Sequence, residues 1–320
     1  MSEREPTPEG VASAAKRVVG HVTRTPLLRA EHGGAPFLVK AECLQEGGSF
    51  KLRGATNRLL QLSEGERRRG VVAFSSGNHA QGVALAARRL GIEAVIVMPD
   101  DAPRVKLAAT EAAGATIILY DRARESREEI GARLAAERGA VLVPSFDDVD
   151  VIEGQGSVGV EIREQLGAAT DKVIIPCGGG GLASGIALAL PEAELVLVEP
   201  EGWDDMGRSL RGGEIVPVGP DAPPTRCDAL QTLRVSPLTF GVLSARGAGA
   251  VAVSEGEVEQ AMAFAMRQLR IVAEPGGAVA LAAALAGKAG PLSERTVVVV
   301  SGGNVDPALY ADIIARSAGR

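Results

Sequence analysis

Aromatic side chains are scarce in this chain. They make up 3 % of its 320 residues, with a single tryptophan. Ala, Val, Leu and Ile must therefore fill the cores of a sequence that is 46 % apolar. Small and β-branched side chains suit strands covered on both faces. Cysteine is also rare. Cys43, Cys177 and Cys227 are scattered without a CxxC pair, which argues against a disulfide framework or a cysteine-bound zinc and fits a reducing compartment. The histidines are His21, His32 and His79, so a histidine-rich metal site is not expected. No apolar run reaches the roughly 20 residues of a membrane span without charge, glycine or proline. The opening MSEREPTPEG has no apolar core of a secretory signal, and a cytoplasmic protein is the expectation. The formal net charge is −6 with no long basic run, which argues against nucleic acid or an anionic membrane as partner. There is no G-x-S-x-G elbow, no GxxxxGK[ST] loop and no HExxH, so hydrolase, NTPase and metalloprotease readings lose their usual support.

Glycine, by contrast, is abundant at 40. Short β-branched runs alternate with Ala/Leu/Arg/Glu stretches. PFLVK, GVVAFS, EAVIVMP, ATIILY, AVLVP, KVIIPC, ELVLVE and RTVVVVSG read as strands. HAQGVALAARRLG, PRVKLAATEAAG, ESREEIGARLAAERG and GLASGIALAL read as helices. This order predicts an α/β protein built of βαβ units. At roughly 100–200 residues per domain, two domains are expected. Residues 49–149 group as a small domain, and residues 1–48 with 150–320 as a large, discontinuous one. Each is predicted to hold an open, mostly parallel twisted sheet flanked by helices. The Gly/Pro-rich loop from Arg211 to Thr225 is a candidate lid.

Four motifs carry chemistry. CGGGGL follows the strand KVIIP and opens a helix, so the amides of Gly178, Gly179, Gly180 and Gly181 and the helix dipole suit a phosphate. Gly178, Gly180 and Ala183 also satisfy a loose GxGxxA dinucleotide pattern, with Glu199 placed where a ribose-binding acid would stand. An NAD(P)-dependent oxidoreductase is therefore a competing reading of this motif. SSGNHAQG, residues 75–82, lies between a strand and a helix. Ser75 and Ser76 are candidate caps, the amides of the loop are candidate carboxylate ligands, and Asn78 is a candidate partner for a ring hydroxyl. Ser301 in SGGN ends the most apolar strand, at the edge where α/β ligands bind, and its hydroxyl can donate to a neutral heterocyclic nitrogen. Lys51 follows Phe50 in GGSFKLRGA. Burial would lower its pKa from roughly 10.4 and free its amine as nucleophile and base.

Together the chain resembles the pyridoxal-phosphate enzymes of the tryptophan-synthase-β superfamily, fold type II, on the branch of threonine/serine dehydratases and serine racemases. RTPL, GGSFKLRGA, SSGNHAQG, FDDVDVIEGQGS, CGGGGL, EPGGA and SGGN match in order, spanning nearly the whole chain. The resemblance implies a cofactor in a cleft between two domains, bonded to Lys51. Phe50 would lie against its ring, Asn78 would meet its ring hydroxyl, Gly178 to Gly181 with Leu182 would hold its phosphate, and Ser301 its ring nitrogen. Ser75, Ser76, Gly77, Asn78 and His79 would bind the substrate carboxylate. Glu199 and Asp205 resemble the ligands of a divalent cation such as Mg²⁺, which removes the ribose acid from the NAD reading. The implied activity is elimination of water from L-threonine or L-serine, in a homodimer or homotetramer. Ser76 matches the racemases, where a serine there protonates Cα on the face opposite the lysine, whereas Phe146 looks like the dehydratases. CDALQT replaces the usual ADG near residue 228. A hydroxyaspartate substrate would want an arginine, for which Arg127 is the candidate. The chain carries no added C-terminal regulatory stretch, so feedback inhibition is not expected.

Overall fold

Ten strands form two separate sheets in the computed structural model, which describes residues 4–75, 77–102, 104–122 and 124–317. In chain order they are β1 (Leu27–His32), β2 (Ala35–Ala41), β3 (Val71–Phe74), β4 (Ala94–Pro99), β5 (Thr116–Tyr120), β6 (Val141–Leu142), β7 (Lys172–Pro176), β8 (Glu194–Pro200), β9 (Gly249–Val253) and β10 (Thr296–Val300). The larger sheet has the order β1-β2-β10-β7-β8-β9 and the smaller one β5-β4-β3-β6. The β1–β2 hairpin is antiparallel; the other ladders are parallel. Helices cover both faces, which is why β4, β7 and β10 read as unbroken apolar runs and are buried along their whole length.

All eight expected strands form. AVLVP keeps just two residues in its ladder, because Pro144 cannot donate to a neighbour. Two further strands, β1 and β9, are edge strands with half-exposed, mixed sequences, LLRAEH and GAVAV, that carry little periodic signal. The four expected helices are Asn78–Leu90, Arg104–Ala112, Arg127–Arg138 and Gly181–Ala189.

The helix Lys51–Leu60 joins the two sheets' territories. Arg53, two residues along it, is wholly buried. Its guanidinium meets Glu42 through two bonds of 2.7 and 2.9 Å and Glu161 through two of 2.6 and 3.0 Å. Glu161 also takes Lys40 at 2.6 Å. Two cations and two carboxylates thus compensate one another where water is excluded. The helix is bolted through them to β2 and to the helix Ser157–Leu166, which fixes where its first residue, Lys51, stands.

Candidate active site

Lys51 sits at the mouth of its helix because the chain before it is clamped to the end of β10. Ser49 bridges Gly302, and Phe50 N–H donates to the Ser301 carbonyl at 3.2 Å. The Lys51 Nζ donates to the Ser145 carbonyl at 3.1 Å and lies 5.2 Å from the centre of the Phe50 ring. It opens into a cleft of about 630 Å³. Burial with no carboxylate beside it brings its pKa down to about 8. His79 lines the same cleft, with Nε2 2.8 Å from the Val143 carbonyl. Burial first, and the Lys51 charge second, hold its pKa down to about 3, so the ring is neutral and Nε2–H is the donor.

The loop before the helix Asn78–Leu90 differs in one respect from expectation. Ser75 does not cap that helix; its Oγ accepts from Gly77 N at 3.2 Å. Gly77 occupies the cap position and offers no side chain, so the first amides are left for a ligand. Ser76 lies outside the described residues. Ser75, Gly77 and Asn78 line the cleft. Asn78 is held on both sides: its Oδ1 accepts from Asn304 Nδ2 at 2.8 Å, and its Nδ2 donates to Glu274.

The glycine loop lies between β7 and the helix Gly181–Ala189. Gly180 caps it with φ +84°, a conformation that side chains disfavour. A Cβ on Gly179 would stand 2.3 Å from the Phe146 ring, and Phe146 directly follows the residue that takes the Lys51 ammonium. Leu182 is buried in the helix's first turn, and Ser301 is buried at the end of β10. A low-pKa amine, the amides that open the helix Asn78–Leu90 and an anchored amide side chain line one cleft; the glycine loop packs behind its wall residue Phe146, and Ser301 is joined to Phe50 beside Lys51. They fit a ligand with an aldehyde, a phosphate, a ring hydroxyl and a ring nitrogen.

Glu199 and Asp205 stand apart, at the end of β8 and the start of the helix Asp205–Gly212. The Glu199 carboxylate accepts from Met206 N at 2.9 Å and Gly207 N at 2.8 Å. Neither Asp205 carboxyl oxygen makes a hydrogen bond of good geometry. Burial pushes Glu199 up to about 8 and Asp205 up to about 7. A buried Asp205 carboxyl without partners beside the buried Glu199 carboxylate fits a hard cation. Among the described residues no third His, Cys, Asp or Glu joins them, so carbonyls and water would complete the shell.

The cleft also contains charges that the sequence did not single out. Glu274 precedes Pro275 at a helix start, yet its carboxylate turns to Asn78 rather than capping. Its second oxygen is buried without a partner, and burial pushes its pKa up to about 7. EPGGA was visible as a motif, but nothing in it marks the acid as facing a ligand. Lys106, Asp228 and Arg234 line the walls; so does Arg127, the arginine already singled out in the sequence, whose guanidinium lies 5.8 Å over the Phe74 ring. Residues 228–229 and 231–237, just beyond the loop read as a candidate lid, form part of the cleft lining. Among the described residues no helix is long and apolar enough to cross a membrane.

Comparison with known proteins agrees with this geometry. The family model described as pyridoxal-phosphate dependent enzyme matches residues 18–303. An L-threo-3-hydroxyaspartate ammonia-lyase of Pseudomonas sp is 43 % identical over 95 % of this chain and 97 % of its own. An L-threonine ammonia-lyase of Thermotoga maritima is 40 % identical over 97 % of this chain and 78 % of its own. The structure of maize serine racemase superposes with a TM-score of 0.90 at 34 % identity, covering 99 % of both chains. The chain thus belongs to the pyridoxal-phosphate-dependent enzymes of fold type II, on the branch that holds threonine dehydratases and serine racemases.

Proposed function

We propose that the protein removes water from L-threonine and L-serine by α,β-elimination, giving ammonia and 2-oxobutyrate or pyruvate. The observation that carries this reading is Lys51 Nζ, an amine with lowered proton affinity, in the same cleft as the uncapped start of the helix Asn78–Leu90. Lys51, Phe50, Asn78, Gly178 to Gly181, Leu182 and Ser301 would hold pyridoxal phosphate. Bound there, the cofactor supplies an electron sink for the Cα–H bond. The chain supplies the rest. Amides of residues 75–79 hold the substrate carboxylate, and Lys51 Nζ takes the Cα proton. The β-hydroxyl departs as water, and the enamine that leaves is hydrolysed to ammonia and the 2-oxo acid. Ser301 would meet the cofactor's ring nitrogen with a neutral hydroxyl rather than a carboxylate. The small domain of residues 49–149 and the large one of 1–48 and 150–320 would be the two walls.

A second reading is supported by Arg127 on the cleft wall and by the hydroxyaspartate lyase among the relatives: a guanidinium there suits a β-carboxylate. Steady-state assays with L-threonine, L-serine and L-threo-3-hydroxyaspartate separate the two. We expect 2-oxobutyrate and pyruvate to form with the higher kcat/KM, and D-serine to be a minor product. Dominant oxaloacetate selects the second reading, and dominant D-serine makes the protein a racemase.

Glu199 and Asp205 would hold a divalent cation. Their raised pKa values mean that the folded chain binds more protons than the unfolded one between the ordinary carboxylate range and about 7 to 8. Stability therefore falls as pH rises through that window. Thermal melts without cation should show a lower Tm at pH 8 than at pH 6, and millimolar Mg²⁺ should restore most of the difference. Glu199→Gln should flatten the pH dependence and remove the Mg²⁺ response. A melt at pH 8 that ignores Mg²⁺ rejects this site.

A further inference from the structure

Lys106 belongs to the helix Arg104–Ala112, on the small-sheet side of the cleft, and its ammonium pairs with Asp228 in the short helix Asp228–Leu230 on the opposite wall. The two ends of this pair differ. The Lys106 side chain is 11 % exposed and that of Asp228 is 40 % exposed. A buried ammonium needs an anion beside it, whereas a carboxylate half in water loses little by letting go. Lys106 Nζ also stands 3.8 Å from where a Cβ on Gly77 would be, so it lies over the cap position whose following amides have no side-chain partner. Glu274 is the other acid close to this pair, and it already accepts from Asn78.

We propose that Lys106 is a specificity-determining residue that takes the carboxylate of the amino-acid substrate beside Gly77, and that Asp228 holds its charge until that carboxylate arrives. The inference rests on the amino-acid lyase reading above. It deepens that reading by naming a cation, where the loop alone supplies neutral amides. The substrate carboxylate then displaces Asp228 rather than meeting an empty surface, and amino acids are favoured over their amides and over amines.

The test titrates holoenzyme with L-alanine, which has no leaving group, and with L-alaninamide, following the visible absorption of the bound cofactor. Lys106→Met should weaken L-alanine about tenfold, the worth of one charge-assisted hydrogen bond, and change L-alaninamide less than about twofold. Asp228→Asn, at the more exposed end, should tighten L-alanine several-fold because its competitor is gone. Equal weakening of both ligands by Lys106→Met would assign Lys106 a structural role and overturn the proposal; so would an unchanged L-alanine Kd. Should Lys106→Met fail to fold, Asp228→Asn decides alone, with weaker or unchanged L-alanine binding as the overturning result. A wild-type holoenzyme that responds to no amino acid sinks the lyase reading together with this one. A responsive wild type with an indifferent variant sinks this one alone.

Discussion

Lys51→Ala is expected to lower turnover by about a thousandfold or more and to leave the cofactor bound without a covalent link. The reason lies in how the lysines are partnered. Lys40, Lys106, Lys172 and Lys288 each pair with a carboxylate, and Lys16 is exposed on the first helix. Lys51 has a carbonyl oxygen and the face of the Phe50 ring beside it, and its pKa of about 8 leaves a usable fraction of neutral amine at physiological pH. Borohydride reduction of the wild-type holoenzyme followed by peptide mapping should find the pyridoxyl group on Lys51. A tag on another lysine, or full activity in the alanine variant, refutes the assignment.

Arg53→Ala should cost about 3–5 kcal/mol of folding stability, the usual penalty for stripping one partner from a buried ionic cluster. Glu42 is wholly buried and Glu161 nearly so, and without the guanidinium they would face each other with Lys40 as the remaining cation. Arg53→Lys should recover part of the loss, since a single ammonium cannot reach both carboxylates with the fork of bonds seen here. Denaturant titration measures the difference. A loss under about 1 kcal/mol would mean that water enters the site and solvates the acids.

The interior of each sheet was legible because buried parallel strands leave a plain signature: AVIVMP, KVIIP and TVVVV are apolar on both faces. β1 and β9 were not, since an edge strand half in solvent looks like any mixed segment. The glycine loop, Lys51 and Asn78 stand out in the sequence because each sits in a rare local setting that a motif preserves. Lys106 was missed because PRVKLAATEAAG reads as an ordinary amphipathic helix, and only the fold brings its lysine opposite Asp228. Asp228 itself sat in CDALQT, which was noticed for its departure from the usual pattern and not for its charge. The capping role expected of Ser75 failed for a local reason, its hydroxyl bending back to Gly77 two residues on.

The clamp that sets Lys51 in place, Ser49 to Gly302 with Phe50 to Ser301, closes a loop comprising most of the polypeptide. Such closure is slow to search for, and during synthesis it must wait until the last strand has left the ribosome. Lys51 is made early and seated late. Capture of the vitamin-derived aldehyde should therefore mark the end of folding, and in refolding experiments the yellow colour should return after the helical signal has already recovered.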